Sequence, residues 1–347
     1  MALEDVNYGQ FSPEDFDNFI HGQMRRVALA QNGEVMGVHD ENDTNKWDDG
    51  TDVNWTEYEN NGWNCMVQIP KFYYRTFRDE YKGLDTYRCE IATSQKAGFK
   101  LHPAFIRDGV ERNFQYMSAF EGWLDGNSTL RSLPNKTVTA SRTIVQFRTD
   151  AVRNGANWQQ QEIYLTSAVQ MLYLVEYGGF DAQRLLAEGN TSNAYVNTGL
   201  SLSIGNKSGG DNTWMSYRGI ENFYANYYKW LDGLNVRERQ MYIATDTNFK
   251  SNKFDDNYVS SGFSAPTNGF ISDFGYSEDL DYMFLPTASE GSDGVALSDQ
   301  VYSSTGDRVA RFGGNRSLGF DGGCFCLILN NDSGNSYASS CARLEYI

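Results

Sequence analysis

The apolar residues of this chain occur in short runs that are separated by long stretches rich in Gly, Ser, Asn and Asp. Runs such as Arg25–Ala30, Arg237–Thr245 and Arg308–Phe312 have the length and composition of single β-strands. Only Gln159–Glu188 places its apolar residues at the spacing of a long helix, with an interruption at the Gly178–Gly179 pair. The sequence therefore predicts an α+β fold of short strands, few helices and long loops, with a β-rich N-terminal segment.

The same patterns predict the remaining elements. A short helix capped by Ser12 is predicted near the start, residues 40–62 form a long predicted loop, and an aromatic-rich helix or turn is predicted over Arg218–Gly233. Further strands are predicted up to Val38 after a turn at Asn32–Gly33, and at Cys65–Phe77, Tyr87–Ala92, Met283–Leu285, Phe325–Leu329 and Ala342–Tyr346. Connections as long as those between these elements are usually functional.

The charge balance excludes several classes of partner. The 29 Lys and Arg residues against 45 Asp and Glu residues give a net charge of −16, without a basic cluster. A nucleic acid and an anionic membrane surface both require the opposite sign. No apolar run approaches the roughly 20 residues that span a bilayer, and no secretory signal is visible at the start. We therefore expect no nucleic-acid partner and no membrane insertion.

The cysteines indicate the compartment of synthesis but no reaction. Their odd number, five, without a disulfide-like framework, predicts synthesis in a reducing compartment. Cys324 and Cys326 would point to the same face of a strand, which suits a metal or a redox pair, although such cysteines are more often small apolar fillers.

Other catalytic and metal-binding motifs are missing from the sequence. The three histidines, His21, His39 and His102, are too far apart for a zinc-protease helix, and no nucleophile elbow or phosphate-binding glycine loop occurs. The Asp40–Thr44 run lacks the central Gly and the terminal Glu of a calcium loop. We predict no catalytic residue, no metal and no cofactor.

Two C-terminal motifs carry a resemblance to a known fold family. The segment Gly306–Leu344 runs through Gly313–Gly314 and a polar Asn- and Ser-rich stretch into Ala342-Arg-Leu, and Tyr217–Gly233 contains Glu-Asn and Trp-x-Asp-Gly. This pattern resembles the C-type-lectin fold in its formylglycine-generating-enzyme-like form. Ala225 stands where the family pattern has Gly.

Motifs nearer the N-terminus extend the resemblance to most of the chain. Met66–Tyr74, Gly98–Arg107 and Ser118–Gly122 are similar to segments of phage virion proteins that carry the lectin-like domain at their C-terminus. The resemblance covers about Arg25–Ile347. Some members of this family are tail-fibre receptor-binding proteins whose variable region is diversified by a retroelement, and the Asn-, Ser- and Gly-rich end of this chain is similar to such a region.

The resemblance implies a division of the chain into three regions. Residues 151–347 would form the C-type-lectin-like ligand-binding domain, and residues 25–150 a β-rich N-terminal region. Residues 1–24 would attach the chain to another virion protein or form an edge of the same domain.

The function implied by the resemblance is that of a phage virion adhesin, in a tail or head fibre, made in the host cytoplasm. It would bind a host cell-surface protein or glycan, contact other virion proteins and form a homo-oligomer, by resemblance a trimer. The ligand-binding residues would lie in the polar loops of the C-terminal end: Asn315, Arg316, Ser317, Leu318, Phe320, Asp321, Asn330, Asn331, Asn335 and Tyr337.

Two other functions remain open on the sequence. The chain could be a structural fibre or decoration protein of the virion that binds no receptor. The enzymatic relatives convert a cysteine to formylglycine with a copper-holding cysteine pair, and Cys324 and Cys341 fall at the corresponding end of the fold. The arginine-rich pattern of those enzymes is not matched. A polysaccharide hydrolase is the other enzyme class, but no particular carboxylate pair can be nominated for it. We therefore predict a protein that is not an enzyme.

Overall fold

Strands outweigh helices in the computed structural model of the chain, which describes residues 12–81, 84–245, 252–254, 257–291 and 299–347. The strands are short, the helices few and the loops long, so the predicted α+β class is confirmed and agrees with a C-type-lectin-like fold. Within these residues no helix is both long and apolar enough to cross a bilayer.

The described residues form four α-helices and five short 3-10 helices. The α-helices are α1 Trp55–Asn61, α2 Ile144–Val152, α3 Ile163–Tyr177 and α4 Ala182–Leu185. The 3-10 helices are Pro13–Asn18, His21–Gln23, Pro103–Phe105, Leu202–Ile204 and Gly319–Asp321.

Twenty-five strands are described. Those before α3 are β1 Arg25–Leu29, β2 Val35–Val38, β3 Asn64–Pro70, β4 Tyr73–Tyr81, β5 Leu84–Ala92, β6 Lys100–Leu101, β7 Ile106–Arg107, β8 Val110–Glu111, β9 Phe114–Ser118, β10 Trp123–Leu124, β11 Leu130–Arg131 and β12 Trp158–Gln160. Those after it are β13 Gly209–Gly210, β14 Met215–Tyr217, β15 Ile220–Glu221, β16 Tyr228–Arg237, β17 Gln240–Ala244, β18 Tyr258–Ser264, β19 Gly269–Phe274, β20 Pro286–Glu290, β21 Gln300–Ser303, β22 Asp307–Phe312, β23 Leu327–Asn331, β24 Ser340–Cys341 and β25 Leu344–Tyr346.

Two large sheets organise the fold. A six-stranded sheet has the order β12-β25-β9-β3-β1-β2, and a nine-stranded sheet has the order β18-β17-β16-β22-β23-β21-β19-β20, with β24 pairing with β16 in parallel. The other pairs are antiparallel except β21 with β23. The six-stranded sheet takes strands from both sides of the predicted boundary at residue 150, and the three-region division stays a prediction.

An irregularity in β16 brings the two sheets together. The register between β16 and β22 shifts between Leu231 and Asn235, and Asp232 lies in this irregular stretch. The Asp232 carboxylate accepts hydrogen bonds from Arg148 of α2 at 2.8 Å and from Gln160 of β12 at 2.6 Å. Because β12 is the edge strand of the six-stranded sheet, this carboxylate fastens one sheet to the other.

The predicted long helix is shorter than the sequence indicated. Its first predicted residues instead form β12, and α3 begins at Ile163 because the Glu162 side chain caps it, accepting from the backbone N–H groups of Tyr164 and Leu165. It ends at the predicted interruption, because Gly178 adopts the left-handed conformation (φ +75°) that suits glycine, and the rest of the predicted helix contains only the short α4. Nearly all of α3 is buried, as expected for a core helix.

Several other sequence predictions differ from the structure. The predicted loop at residues 40–62 contains α1, which Asn54 caps, and the predicted strand Cys65–Phe77 is two strands that separate after Pro70. Met283–Leu285 is buried but forms no strand. Cys324 lies in a turn, so the Cys324 and Cys326 pair does not share a strand face. Of the predicted attachment segment, residues 1–11 lie outside the described residues.

All three histidines are buried, and burial lowers the pKa of each to about 3. His102 packs among Phe72, Tyr74, Phe105 and Tyr282, and its Nδ1 accepts a hydrogen bond from the backbone N–H of Ala104. These rings exclude water from the imidazole, which therefore stays neutral in the folded chain.

We predict that His102 makes the fold sensitive to acid. An unfolded histidine has a pKa of about 6.5, so the unfolded chain takes up this proton first and stability is lost as pH falls from about 6.5 toward 3. At pH 5 the loss from one such histidine is about 2 kcal/mol. His102→Asn keeps a side-chain acceptor for Ala104. Between pH 8 and pH 5, its free energy of unfolding should fall by about 2 kcal/mol less than that of wild type, as measured by urea unfolding. Equal losses in both proteins would contradict the assignment.

Candidate ligand-binding surface

The ten predicted ligand-binding residues lie in two segments that follow adjacent strands. The first, Asn315–Asp321, comes after β22, and the second, Asn330–Tyr337, starts at the end of β23. We call these the first and second loops. The strands β22 and β23 are antiparallel, so the two loops start from opposite ends of this pair, and the second loop returns to the middle of β22 at Tyr337, whose ring contacts Arg311.

The start of β16 lies between the two loops. The backbone N–H of Arg316 donates to the carbonyl of Asn226 at 3.0 Å, and the backbone N–H of Tyr228 donates to the carbonyl of Ser339 at 3.0 Å. The carbonyl of Tyr337 accepts from the backbone N–H of Ser141 at 2.9 Å. Backbone hydrogen bonds therefore fix each loop to neighbouring segments of the fold.

A stack of three side chains supports the first loop. The guanidinium carbon of Arg316 lies 4.5 Å from the ring centre of Tyr195, and the ring of Tyr195 lies parallel to that of Tyr227 with 4.0 Å between centres. Arg316 Nη1 also donates to the carbonyl of Asn193 at 3.3 Å. Cation–π contact and stacking of this kind hold a long side chain in one position.

A second stack supports the other loop. The guanidinium carbon of Arg311 lies 4.4 Å from the ring centre of Tyr228 and 4.8 Å from that of Tyr337. Arg311 Nη1 donates to Ser340 Oγ at 2.7 Å, and burial lowers the pKa of this arginine. Tyr337, 38% exposed, therefore rests on a buried arginine.

The turn Gly319–Asp321 presents the most exposed aromatic side chain of the described part of the chain. Gln183 Nε2 donates to the carbonyls of Gly319 and Gly322, and the Asp321 carboxylate accepts from the hydroxyl of Tyr302 at 3.0 Å. Phe320, between these fixed points, is 64% exposed. A large apolar side chain on a fixed turn is what a binding anchor requires.

The other predicted residues divide into buried and exposed ones. Asn315 and Asn331 are buried, and the side-chain oxygen of Asn315 accepts from the backbone N–H of Ser317 at 3.2 Å. Leu318 packs beside Tyr228 in an apolar cluster. Ser317 and Asn330 are exposed, and Asn335 closes a turn with Asp332. Asn315, Asn331 and Leu318 thus shape the loops from within.

A buried polar network lies under both loops. Lys229 Nζ donates to the carbonyl of Ala225 at 2.6 Å and lies 3.1 Å from Glu121, which also accepts from Asn226 at 2.5 Å. The Lys229 side chain has no exposure and that of Glu121 only 1%. Burial lowers the pKa of Lys229, and the neighbouring carboxylate opposes that shift. The network fixes the turn from which β16 starts.

Ala225 has the backbone conformation expected of the glycine that it replaces in the family pattern. Its φ of +65° is in the left-handed region, which costs an alanine more than a glycine. The N–H of Ala225 donates to the carbonyl of Gly313 at 2.8 Å. The turn is therefore retained despite the substitution, with hydrogen bonds on both sides of the residue.

The cysteine pair considered for copper is not arranged as a reactive pair. Cys324 and Cys341 are both buried free thiols that belong to different apolar clusters, and burial raises the pKa of each. Thiolates bind metals and attack substrates, so these environments favour the unreactive form. In the described ranges, no three or more His, Cys, Asp or Glu side chains are grouped to hold a metal ion.

Three side chains that support the surface were not predicted from the sequence. Tyr195, Arg311 and Gln183 contact the two loops from segments elsewhere in the chain. Only the high aromatic content of the sequence was a signal, and it could not say which rings support the loops.

We predict that breaking the buried ion pair destabilises the chain severely. Lys229→Met leaves the Glu121 carboxylate buried without its counter-charge, which costs about 3–5 kcal/mol in the free energy of unfolding. Adding Glu121→Gln should recover part of this loss, as measured by urea unfolding. Lys71→Met, at a partly exposed pair with Glu111, is the matched control and should cost under about 1 kcal/mol. Equal effects of the two lysine substitutions would contradict the role of the network.

No protein-family profile matches the chain, and no curated protein matches it. Solved structures that are similar include the P3c variant of a Major Tropism Determinant, with a TM-score of 0.36, 12% identity, and coverage of 93% of this chain and 71% of that chain. The M1 and U1 variants match with a TM-score of 0.35 and the same identity and coverage. The chain thus has tropism determinants among its distant structural neighbours.

Proposed function

We propose that this chain is a phage virion adhesin, in a tail or head fibre, whose two C-terminal loops bind a protein or glycan of the host cell surface. The observation that carries this proposal is that Arg316 of the first loop and Tyr337 of the second are both held next to the start of β16, the first by a backbone hydrogen bond to Asn226 and the second through Arg311 and Tyr228, with Phe320 and Tyr337 exposed. Exposed aromatic anchors on a fixed framework, surrounded by Asn and Ser, have the composition of binding surfaces.

The residues available for binding differ from the buried residues that stabilise the fold. Tyr227, Tyr228, Lys229 and Glu121 are buried beneath the loops, whereas Ser317 and Phe320 are exposed. Substitution of an exposed loop residue leaves the buried contacts in place, so the ligand preference can change while the fold persists. This arrangement supports the resemblance to proteins with a diversified C-terminal region.

The charge of the chain narrows the class of receptor. A net charge of −16 repels polyanions, so an uncharged glycan or a protein is the favoured ligand. Affinity per site would be modest, and several copies in a homo-oligomer, by resemblance a trimer, would raise the overall strength by avidity. The same chain would contact other virion proteins through surfaces away from the two loops.

We predict that the exposed aromatic residues carry binding. The fluorescently labelled full chain should bind cells of at least one strain in a panel of bacterial strains, measured by flow cytometry. Replacing Phe320 and Tyr337 with Ala should lower binding at least about tenfold, because interface aromatic residues each typically contribute above 1 kcal/mol. We choose these residues over Asn315, whose buried amide shapes the loop.

Val110→Ala with Val259→Ala is the matched control. These valines are 51% and 54% exposed and lie outside the two loops, so their replacement should leave binding unchanged. Every variant must keep the urea midpoint of wild type. Undiminished binding by the Phe320 and Tyr337 variant would reject this surface. Wild-type protein that binds no strain, but assembles with other virion proteins, would favour the structural role instead.

A further inference from the structure

Arg316 carries a charge that no carboxylate neutralises among the residues that the structure describes. Its only contacts there are the cation–π stack on Tyr195, the hydrogen bond to the carbonyl of Asn193, and the backbone hydrogen bond to Asn226. Its Nε is buried without a hydrogen-bond partner, so a carboxylate from outside would be received by the Nη atoms. The chain has 45 acidic residues, so an unneutralised arginine on the proposed binding surface calls for an explanation.

Arg237, an exposed arginine with the same kind of ring contact, is neutralised. The guanidinium carbon of Arg237 lies 4.0 Å from the ring centre of Phe254, and its Nε and Nη2 donate to the two oxygens of Asp307 at 2.7 and 2.9 Å. Arg316 has a comparable ring contact, with Tyr195, but its forked donor group lacks the carboxylate. A guanidinium recognises a carboxylate by this paired geometry.

The position of Arg316 is set before any ligand arrives. Tyr195 holds one face of the guanidinium and is itself stacked on the buried Tyr227, while the carbonyl of Asn193 fixes Nη1. A side chain that is already ordered loses less entropy on binding than a free surface arginine. Tyr195 is therefore a positioning residue for Arg316.

We propose that Arg316 is the recognition point for a carboxylate of the partner, that this carboxylate belongs to an Asp or Glu side chain of a host surface protein, and that Tyr195 positions Arg316 to receive it. The proposal rests on the proposed function. It adds the segment Asn193–Tyr195 to the binding surface as a third element beside the two loops.

A protein is favoured over an acidic polysaccharide by two observations. Repeated carboxylates of a polysaccharide would meet the −16 charge of the chain along their whole length, whereas a protein presents one carboxylate in a mixed surface. Phe320, 64% exposed on the same loop, suits an apolar pocket, which a protein surface provides beside a charged group.

The test uses intact cells of the strain that binds wild-type chain, with and without amidation of surface carboxylates by carbodiimide and ethanolamine. Arg316→Gln should lower binding to untreated cells about tenfold. Amidation of the cells should lower the binding of wild-type chain to the same level and should leave the binding of the Arg316→Gln variant unchanged. Tyr195→Leu should behave like a weaker form of Arg316→Gln, and Tyr195→Phe, which keeps the ring, should bind like wild type. Arg237→Gln, at the neutralised arginine, is the matched control and should bind like wild type.

The outcomes separate this proposal from the proposed function. Wild-type binding that survives amidation, or an Arg316→Gln variant that binds fully, would overturn the carboxylate contact while leaving the adhesin intact. Binding removed by protease treatment of the cells supports a protein partner, and binding removed only by periodate would overturn that assignment. A wild-type chain that binds no strain in the panel would reject both proposals. Urea midpoints equal to wild type are required for each variant.

Discussion

One ion pair without access to water constrains the end of the fold that carries the two loops. The side chains of Lys229 and Glu121 are completely or almost completely buried, and removal of either one leaves the other as a buried charge without a counter-charge. Lys229 is the second residue of β16, which pairs with β17, β22 and β24, and Glu121 comes from a segment more than a hundred residues earlier in the chain. Their contact requires both regions to be folded. The two loops are therefore supported by a buried platform, made of these two regions, that forms as one unit.

Most aromatic residues near the loops belong to the buried platform, and only a few are exposed on the surface. Tyr227 and Tyr228 are consecutive, yet the first supports Arg316 through Tyr195 and the second supports Tyr337 through Arg311. Successive residues of an extended chain point to opposite sides, which explains how two neighbouring rings serve separate stacks. Few exposed rings remain. Phe320 is one of them, because its turn is held by hydrogen bonds to backbone carbonyls and to the Asp321 carboxylate, which leave its ring free of these contacts.

Much of the strand pattern could be predicted from the sequence, since strands such as β1 and β22 depend on local apolar runs. The strand β16 could not, because nine of its ten residues are buried and its side chains show no alternation of polar and apolar character. The aromatic-rich stretch Arg218–Gly233, which includes the first six residues of β16, instead indicated a helix or turn. The two loops could be nominated from their polarity, but the buried state of Asn315 and Asn331 depends on hydrogen bonds that composition does not reveal. The support from Gln183 and Tyr195 comes across more than 120 residues, and a single sequence carries no sign of such contacts.

The place of β25 in the six-stranded sheet has a consequence for how such loops could vary over generations. This strand follows both loops in the chain and lies between β12 and β9, inside the sheet. A substitution within the loops leaves β25 intact, whereas a frameshift or a stop codon there deletes it and splits the sheet. A chain with such a frameshift or stop codon would lack the strand that joins β12 to β9, so the six-stranded sheet selects for an intact reading frame through both loops.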